Sequence, residues 1–138
     1  LVIFPEGGRT ADGWGQEFRA GAAYLATRRQ VPVVPVHLEG SRRVWRKGGA
    51  LRRATTHVTF GSPLRPGGSL GDARAMTGAM ERAVAVLADE QATDWWSAQR
   101  RAAAGTTPPL QGPPGAAWRR SWSLREGERT ASGPRWPA

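Results

Sequence analysis

The sequence predicts an α/β fold, and three observations along its first third carry that prediction. A short apolar run, Leu1-Val2-Ile3-Phe4, is stopped by Pro5, Gly7 and Gly8; an amphipathic stretch covers residues 16–29; and a second run, rich in β-branched residues, covers 31–38. Strand, helix and strand in this order and at this length imply a crossover with parallel pairing in an α/β sheet.

Residues 1–4 read as a fully buried strand, because they are apolar, β-preferring and sharply terminated. The start of that strand reads as missing, since Leu1 stands where an initiator Met would and no signal-peptide pattern follows. Within residues 16–29, Phe18, Ala22 and Leu25 recur at helical spacing. Residues 31–38 place five aliphatic side chains around Pro32 and Pro35, which withhold ladder donors and point to a strand at an edge or with irregular backbone. A basic loop or hairpin excursion follows, and Thr56-His57-Val58-Thr59-Phe60 alternates as a half-buried third strand. Asp72 is placed to cap a helix reaching about Glu90, with Met76, Met80, Val84 and Leu87 on one core-forming face. A short helix runs from Asp94-Trp95-Trp96 to Ala104. Trp95 and Trp96 suit either packing or a headgroup interface.

Beyond Ala104 the composition changes. Residues 105–138 hold two double prolines, Pro108-Pro109 and Pro113-Pro114, with Trp118, Trp122 and Trp136 among arginines and almost no aliphatic side chains. Such a segment cannot offset its ordering entropy unless it docks, so it reads as a disordered basic tail behind a partial domain at 1–104. The chain has 138 residues, no cysteine, and 20 basic against 11 acidic side chains, for a net charge of +9. Disulfides, thiolate metal sites and a cysteine nucleophile are therefore excluded. No stretch is long and apolar enough to span a bilayer. The charge favours an anionic partner, and it is focused where Arg42, Arg43, Arg46, Lys47, Arg52 and Arg53 surround Trp45 with no acidic residue between them. This segment reads either as a solvated loop or as a surface for anionic membrane.

The chemistry is concentrated in Phe4-Pro5-Glu6-Gly7-Gly8-Arg9-Thr10. Gly7 and Gly8 permit positive φ and close approach of backbone amides to an anion, and Arg9 supplies a forked cation that matches phosphate. Ionised Glu6 cannot bind phosphate but can orient Arg9 or accept from a polyol hydroxyl. A metal site lacks a cluster of ligands, and a Ser or Thr nucleophile lacks a paired His.

This phrase, followed by Phe18-Arg19-Ala20-Gly21, then Val31-Pro32-Val33-Val34-Pro35-Val36 and Gly40, resembles the glycerolipid acyltransferase family, which includes the 1-acylglycerol-3-phosphate and glycerol-3-phosphate O-acyltransferases. The resemblance runs to about Leu87. It implies the C-terminal part of an acyltransferase-type mixed sheet with flanking helices, acting at the cytoplasmic face of the membrane as a peripheral protein. It implies that Glu6, Gly7, Gly8 and Arg9 hold the acceptor's phosphate, with Gly8 where the family has Thr and Thr10 where it has Ser. Val31, Pro32 and Pro35 fall on the acyl-donor side, and Arg19 where Lys is frequent. The implied acceptor is lysophosphatidate or glycerol 3-phosphate, and the co-substrate is an acyl thioester on CoA or acyl carrier protein, with no other cofactor.

The family's catalytic pair is a His with an Asp five residues on. The residue five beyond His37 is Arg42, and five beyond His57 is Ser62, so both histidines read as structural and no catalytic residue is assigned. The general base is expected upstream of Leu1, and the chain as given is expected to be inactive. Two rivals stand beside this reading: a non-catalytic module binding nucleic acid or another polyanion through Arg and Trp, and a catalytically dead membrane-docked scaffold. The family resemblance favours lipid over nucleic acid.

Overall fold

The computed structural model describes residues 1–8, 10, 13–45, 50–67 and 72–113. In chain order these form α1 (Gly21–Arg29), β1 (Val36–Glu39), α2 (Ser41–Val44), β2 (His57–Phe60), α3 (Ala73–Ala92) and α4 (Trp95–Ala104). β1 and β2 make a two-stranded antiparallel sheet, with Val36 opposite Phe60 and Glu39 opposite His57.

The expected parallel crossover is not what forms. Residues 1–4 lie in extended, exposed chain outside any ladder, and the Phe4 carbonyl accepts from the Gly7 amide at 3.1 Å. No described strand lies beside them, so their apolar side chains gain none of the burial on which the strand reading rested. The helix also starts late, at Gly21 rather than near Gln16. The reason is local: the Gln16 amide donates to the Glu6 carboxylate and the Arg19 amide to the Pro5 carbonyl, so neither residue has helical bonding. The buried face of α1 is accordingly Ala22, Ala23, Ala26 and Thr27, while Leu25 is exposed. Gln30, at φ 52°, stops the helix, and its amide closes onto Ala26 and Thr27.

Within residues 31–38 only the last three belong to β1. Val33 bridges Leu64 through two hydrogen bonds of 2.8 Å, and the Gly61 amide reaches the Pro35 carbonyl at 2.9 Å. Between these pairs Val34 and Pro35 oppose Gly61, Ser62 and Pro63, a bulge at the position where Pro35 has no donor to give. The basic excursion joins β1 to β2, as the hairpin reading expects, and contains the single turn α2. Gly40 begins it at φ 82°, where a Cβ would stand 2.6 Å from the Thr55 carbonyl oxygen, so only glycine fits.

Helix α3 holds the molecule together, packing on α1, β1, β2 and α4. Met76 and Met80 meet Ala22 and Ala23, with Phe18, Val33 and Leu64 closing around them. Leu87 is buried against the sheet end near Gly61. Asp72 occupies the N-cap position, but its carboxylate does not bond the helix amides; it is directed at Gly67. Asp94 does cap α4, accepting from the Ser97 amide at 2.9 Å, and hydrogen bonding from the Ser97 side chain first, then from its amide, holds the Asp94 carboxyl below the usual pKa. α4 is fastened to α3 by Arg101, whose Nε and Nη2 donate to the two Asp89 oxygens at 2.6 and 2.8 Å, with Nη2 also donating to Thr93 Oγ1. Gly105 ends α4 in the left-handed region.

The tail expected from residue 105 lies partly on the body. The Gly15 amide donates to the Leu110 carbonyl at 2.9 Å, and the Gln111 side chain reaches Glu81 on α3. These tethers provide the docking that such a segment needs to be ordered. Residues 114–138 lie outside the described residues.

On the sheet, Val36, Leu38, Val58 and Phe60 share an exposed face, while Thr59 on the opposite face reaches Gln91 of α3. His37 pairs with Thr59 and is half-buried, and its Nδ1 is enclosed without a hydrogen-bond partner among the described residues. Burial lowers its pKa from 6.5, while the negative charges of Glu39 and Glu6 oppose the shift.

Two outcomes are expected from urea unfolding. Asp89 is 7% exposed, and the Arg101 side chain is 32% exposed. Arg101→Met, which strands a buried carboxylate, should therefore lower the midpoint more than Asp89→Ala, which leaves a guanidinium that can turn to water. Because the folded-state pKa of His37 is depressed, its contribution is complete above pH 6.5 and is lost as pH falls below that value. His37→Asn should thus make stability less dependent on pH between about 7 and 5, as the difference between variant and wild-type midpoints.

Candidate anion-binding turn

The site begins as a β-turn. Pro5 fixes φ at the first central position, Glu6 takes the second, and the Gly7 amide closes the turn onto Phe4. Gly7 then bends the chain at φ 71°. Its amide is consumed by this closure, so it is not one of the free donors expected from the sequence. Gly8 is exposed, and its amide makes no hydrogen bond among the described residues.

The Glu6 carboxylate accepts the Gln16 amide at 3.0 Å, and the Gln16 side chain donates to the Gly8 carbonyl at 3.3 Å. Glu6 thus serves the loop rather than a ligand, in keeping with its unsuitability for phosphate. Arg9 lies outside the described residues. The cation that the fold does bring to the turn is Arg19: a Cβ on Gly7 would stand 2.6 Å from Arg19 Nε and 2.9 Å from Cζ. The guanidinium lies against the face of Gly7 left open by the missing side chain. The sequence signal for this was the position of Arg19 in the Phe18-Arg19-Ala20-Gly21 phrase, fifteen positions before Val34; no spacing rule alone would have paired it with Gly7.

The basic segment divides. Arg42 reaches back to Gly13, against which its guanidinium lies so closely that a Cβ could not be accommodated. Arg42 thus also packs on the glycine-rich loop while remaining exposed. Arg43 folds over Gly40, while Trp45, Arg52 and Arg53 are exposed; Arg46 and Lys47 lie outside the described residues. Of the donor-side residues, Pro35 is buried against Gly61, and Val31 and Pro32 are exposed where the chain leaves α1.

Among the described residues no group of acidic, His or Cys side chains could hold a metal, and no helix is long and apolar enough to cross a membrane. The turn presents the exposed Gly8 and the Arg19 guanidinium; of the two histidines, His57 is exposed, and His37, which feels the negative charge of Glu6, keeps its Nδ1 enclosed.

Residues 1–39 match the model of the family described as Acyltransferase. Curated relatives include a 1-acyl-sn-glycerol-3-phosphate acyltransferase of Limnanthes alba, 44% identical over 48 residues, covering 35% of this chain and 17% of that protein. Another bearing the same name, from Cocos nucifera, is 36% identical over 66 residues, covering 47% of this chain and 21% of its own length. The chain thus matches about a fifth of the length of these relatives. No solved structure is significantly similar. The turn at residues 4–10, Arg19 and the double-proline run at 31–36 all fall inside the family match, so it is this N-terminal part of the chain that is similar to the Acyltransferase family and to the 1-acyl-sn-glycerol-3-phosphate acyltransferases.

Proposed function

We propose that the chain carries the acceptor-phosphate side of an O-acyltransferase site of phospholipid synthesis, for an acceptor of the glycerol 3-phosphate or lysophosphatidate type. The observation that supports this reading best is the Arg19 guanidinium laid over Gly7 beside the exposed Gly8. The relatives' name specifies an acceptor bearing a phosphate. Arg19 and the Gly8 amide meet that phosphate, Arg9 adds a second fork, and Glu6 keeps the loop in shape through Gln16.

In the reaction, the acceptor hydroxyl oxygen attacks the thioester carbonyl carbon. A C–O bond forms, the C–S bond breaks, and the hydroxyl proton passes to a base while the thiol of CoA or acyl carrier protein departs. This chain's residues hold and orient the acceptor; neither His37 nor His57 is followed five residues on by the Asp of a His and Asp pair. Trp45, Arg52 and Arg53, exposed on the excursion, would keep the protein on anionic lipid at the cytoplasmic face.

Titration calorimetry with glycerol 3-phosphate tests the reading. Arg19→Met should weaken binding by about tenfold to a hundredfold, the range for a charged hydrogen bond, with Arg19→Lys recovering part of it. Gly7→Ala should also weaken binding, because the new Cβ displaces the guanidinium. Unchanged affinity in Arg19→Met would sink the assignment. The purified 138-residue chain should bind the acceptor yet transfer no acyl group from acyl-CoA, as followed by thiol release.

A further inference from the structure

Seven residues beyond Gly7, the same loop presents an apolar wall. Thr10 Oγ1 donates to the Trp14 carbonyl at 2.6 Å, and the next amide, of Gly15, donates to Leu110. Residues 108–113 therefore dock on the loop that carries the anion turn. They make a turn of their own, closed by the Gly112 amide on the Pro109 carbonyl at 3.1 Å, with Gly112 at φ 76°. The indole of Trp14 fills the space beside Gly112: a Cβ there would stand 2.5 Å from Trp14 Cδ2. Trp14, Pro108, Pro109, Gly112 and Pro113 enclose an open cavity of about 420 Å³.

Its walls are an indole, three pyrrolidine rings and a glycine. Prolines bring no amide donor, and no charged side chain lines the space. A peptide or a headgroup placed there would lose water without regaining hydrogen bonds, whereas a hydrocarbon chain loses nothing polar. The rigid rings also spare the ordering cost that flexible walls would add.

We propose that this cavity binds the acyl chain of a single-chain phospholipid acceptor whose phosphate rests at Gly8 and Arg19; this builds on the anion-binding reading above. Such an acceptor carries its ester-linked chain and its phosphate on either side of the free hydroxyl. One loop, residues 5–19, then holds both ends and presents the hydroxyl between them. Specificity for chain-bearing over chainless acceptors is the function of the Trp14 wall.

The test is calorimetry on the full chain, below micellar concentrations, with glycerol 3-phosphate, 1-dodecanoylglycerol 3-phosphate and uncharged 1-dodecanoylglycerol. The chain-bearing phosphate should bind at least about tenfold tighter than glycerol 3-phosphate, each methylene buried contributing up to about fourfold. Trp14→Ser and, independently, Gly112→Val should bring the ratio of the two affinities toward one, with helix content by circular dichroism reporting that both variants fold. Equal binding of the two phosphates, or a ratio that survives both substitutions, overturns the proposal. Trp14-dependent binding of dodecanoylglycerol without binding of glycerol 3-phosphate would overturn the anion reading and keep the hydrocarbon site. Binding of glycerol 3-phosphate with no gain from the chain would overturn the hydrocarbon site alone.

Discussion

Everything the site can do depends on one short closure: the Glu6 carboxylate taking the Gln16 amide while the Pro5 carbonyl takes the Arg19 amide. These two bonds turn residues 5–19 into a closed loop. They also decide where α1 begins, because donors spent on the turn cannot enter a helix. Arg19 is thereby held at the helix entrance, where its side chain can lie across Gly7. An ionised glutamate is electrostatically out of place as a ligand for an anion; as the acceptor for a backbone amide Glu6 has a reason to be there.

The loop in turn gathers parts from distant sequence. Arg42 returns to it from the excursion after β1, and Leu110 from beyond α4. Both approaches rely on glycine. Gly13 admits the guanidinium, and Gly112 admits the indole of Trp14, each at positive φ. The glycine richness of the chain is thus partly a set of contact surfaces and not only a source of loose backbone.

Much of the fold was legible because it is local. The α3 stripe of Met76, Met80 and Leu87 and the extent of α4 follow from periodicity, and the structure keeps them, whereas β2 forms with Val58 and Phe60 exposed and Thr59 turned toward α3, the reverse of the face that its alternation predicts. What sequence could not supply was pairing. Residues 1–4 have strand composition, yet a strand exists only where another chain segment offers its ladder. The run at 31–38 has strand composition too, and Pro35 converts half of it into a bulge. The site shows the same division: the turn and its glycines are written in residues 4–10, whereas Arg19 over Gly7, Arg42 at Gly13 and the Trp14 wall depend on contacts across six or more residues, for which no spacing rule exists.

The position of α3 has a consequence for how the molecule opens. Because this helix touches α1, both strands and α4, none of these four can be peeled away without exposing part of it, and it cannot fray in its middle while they stay in place. Amides near Met80 and Val84 would therefore exchange with solvent only when the whole body unfolds, while those of the 5–19 loop, fastened by a few bonds at the surface, exchange through small local openings. The 5–19 loop and the scaffold beneath it thus move on separate clocks.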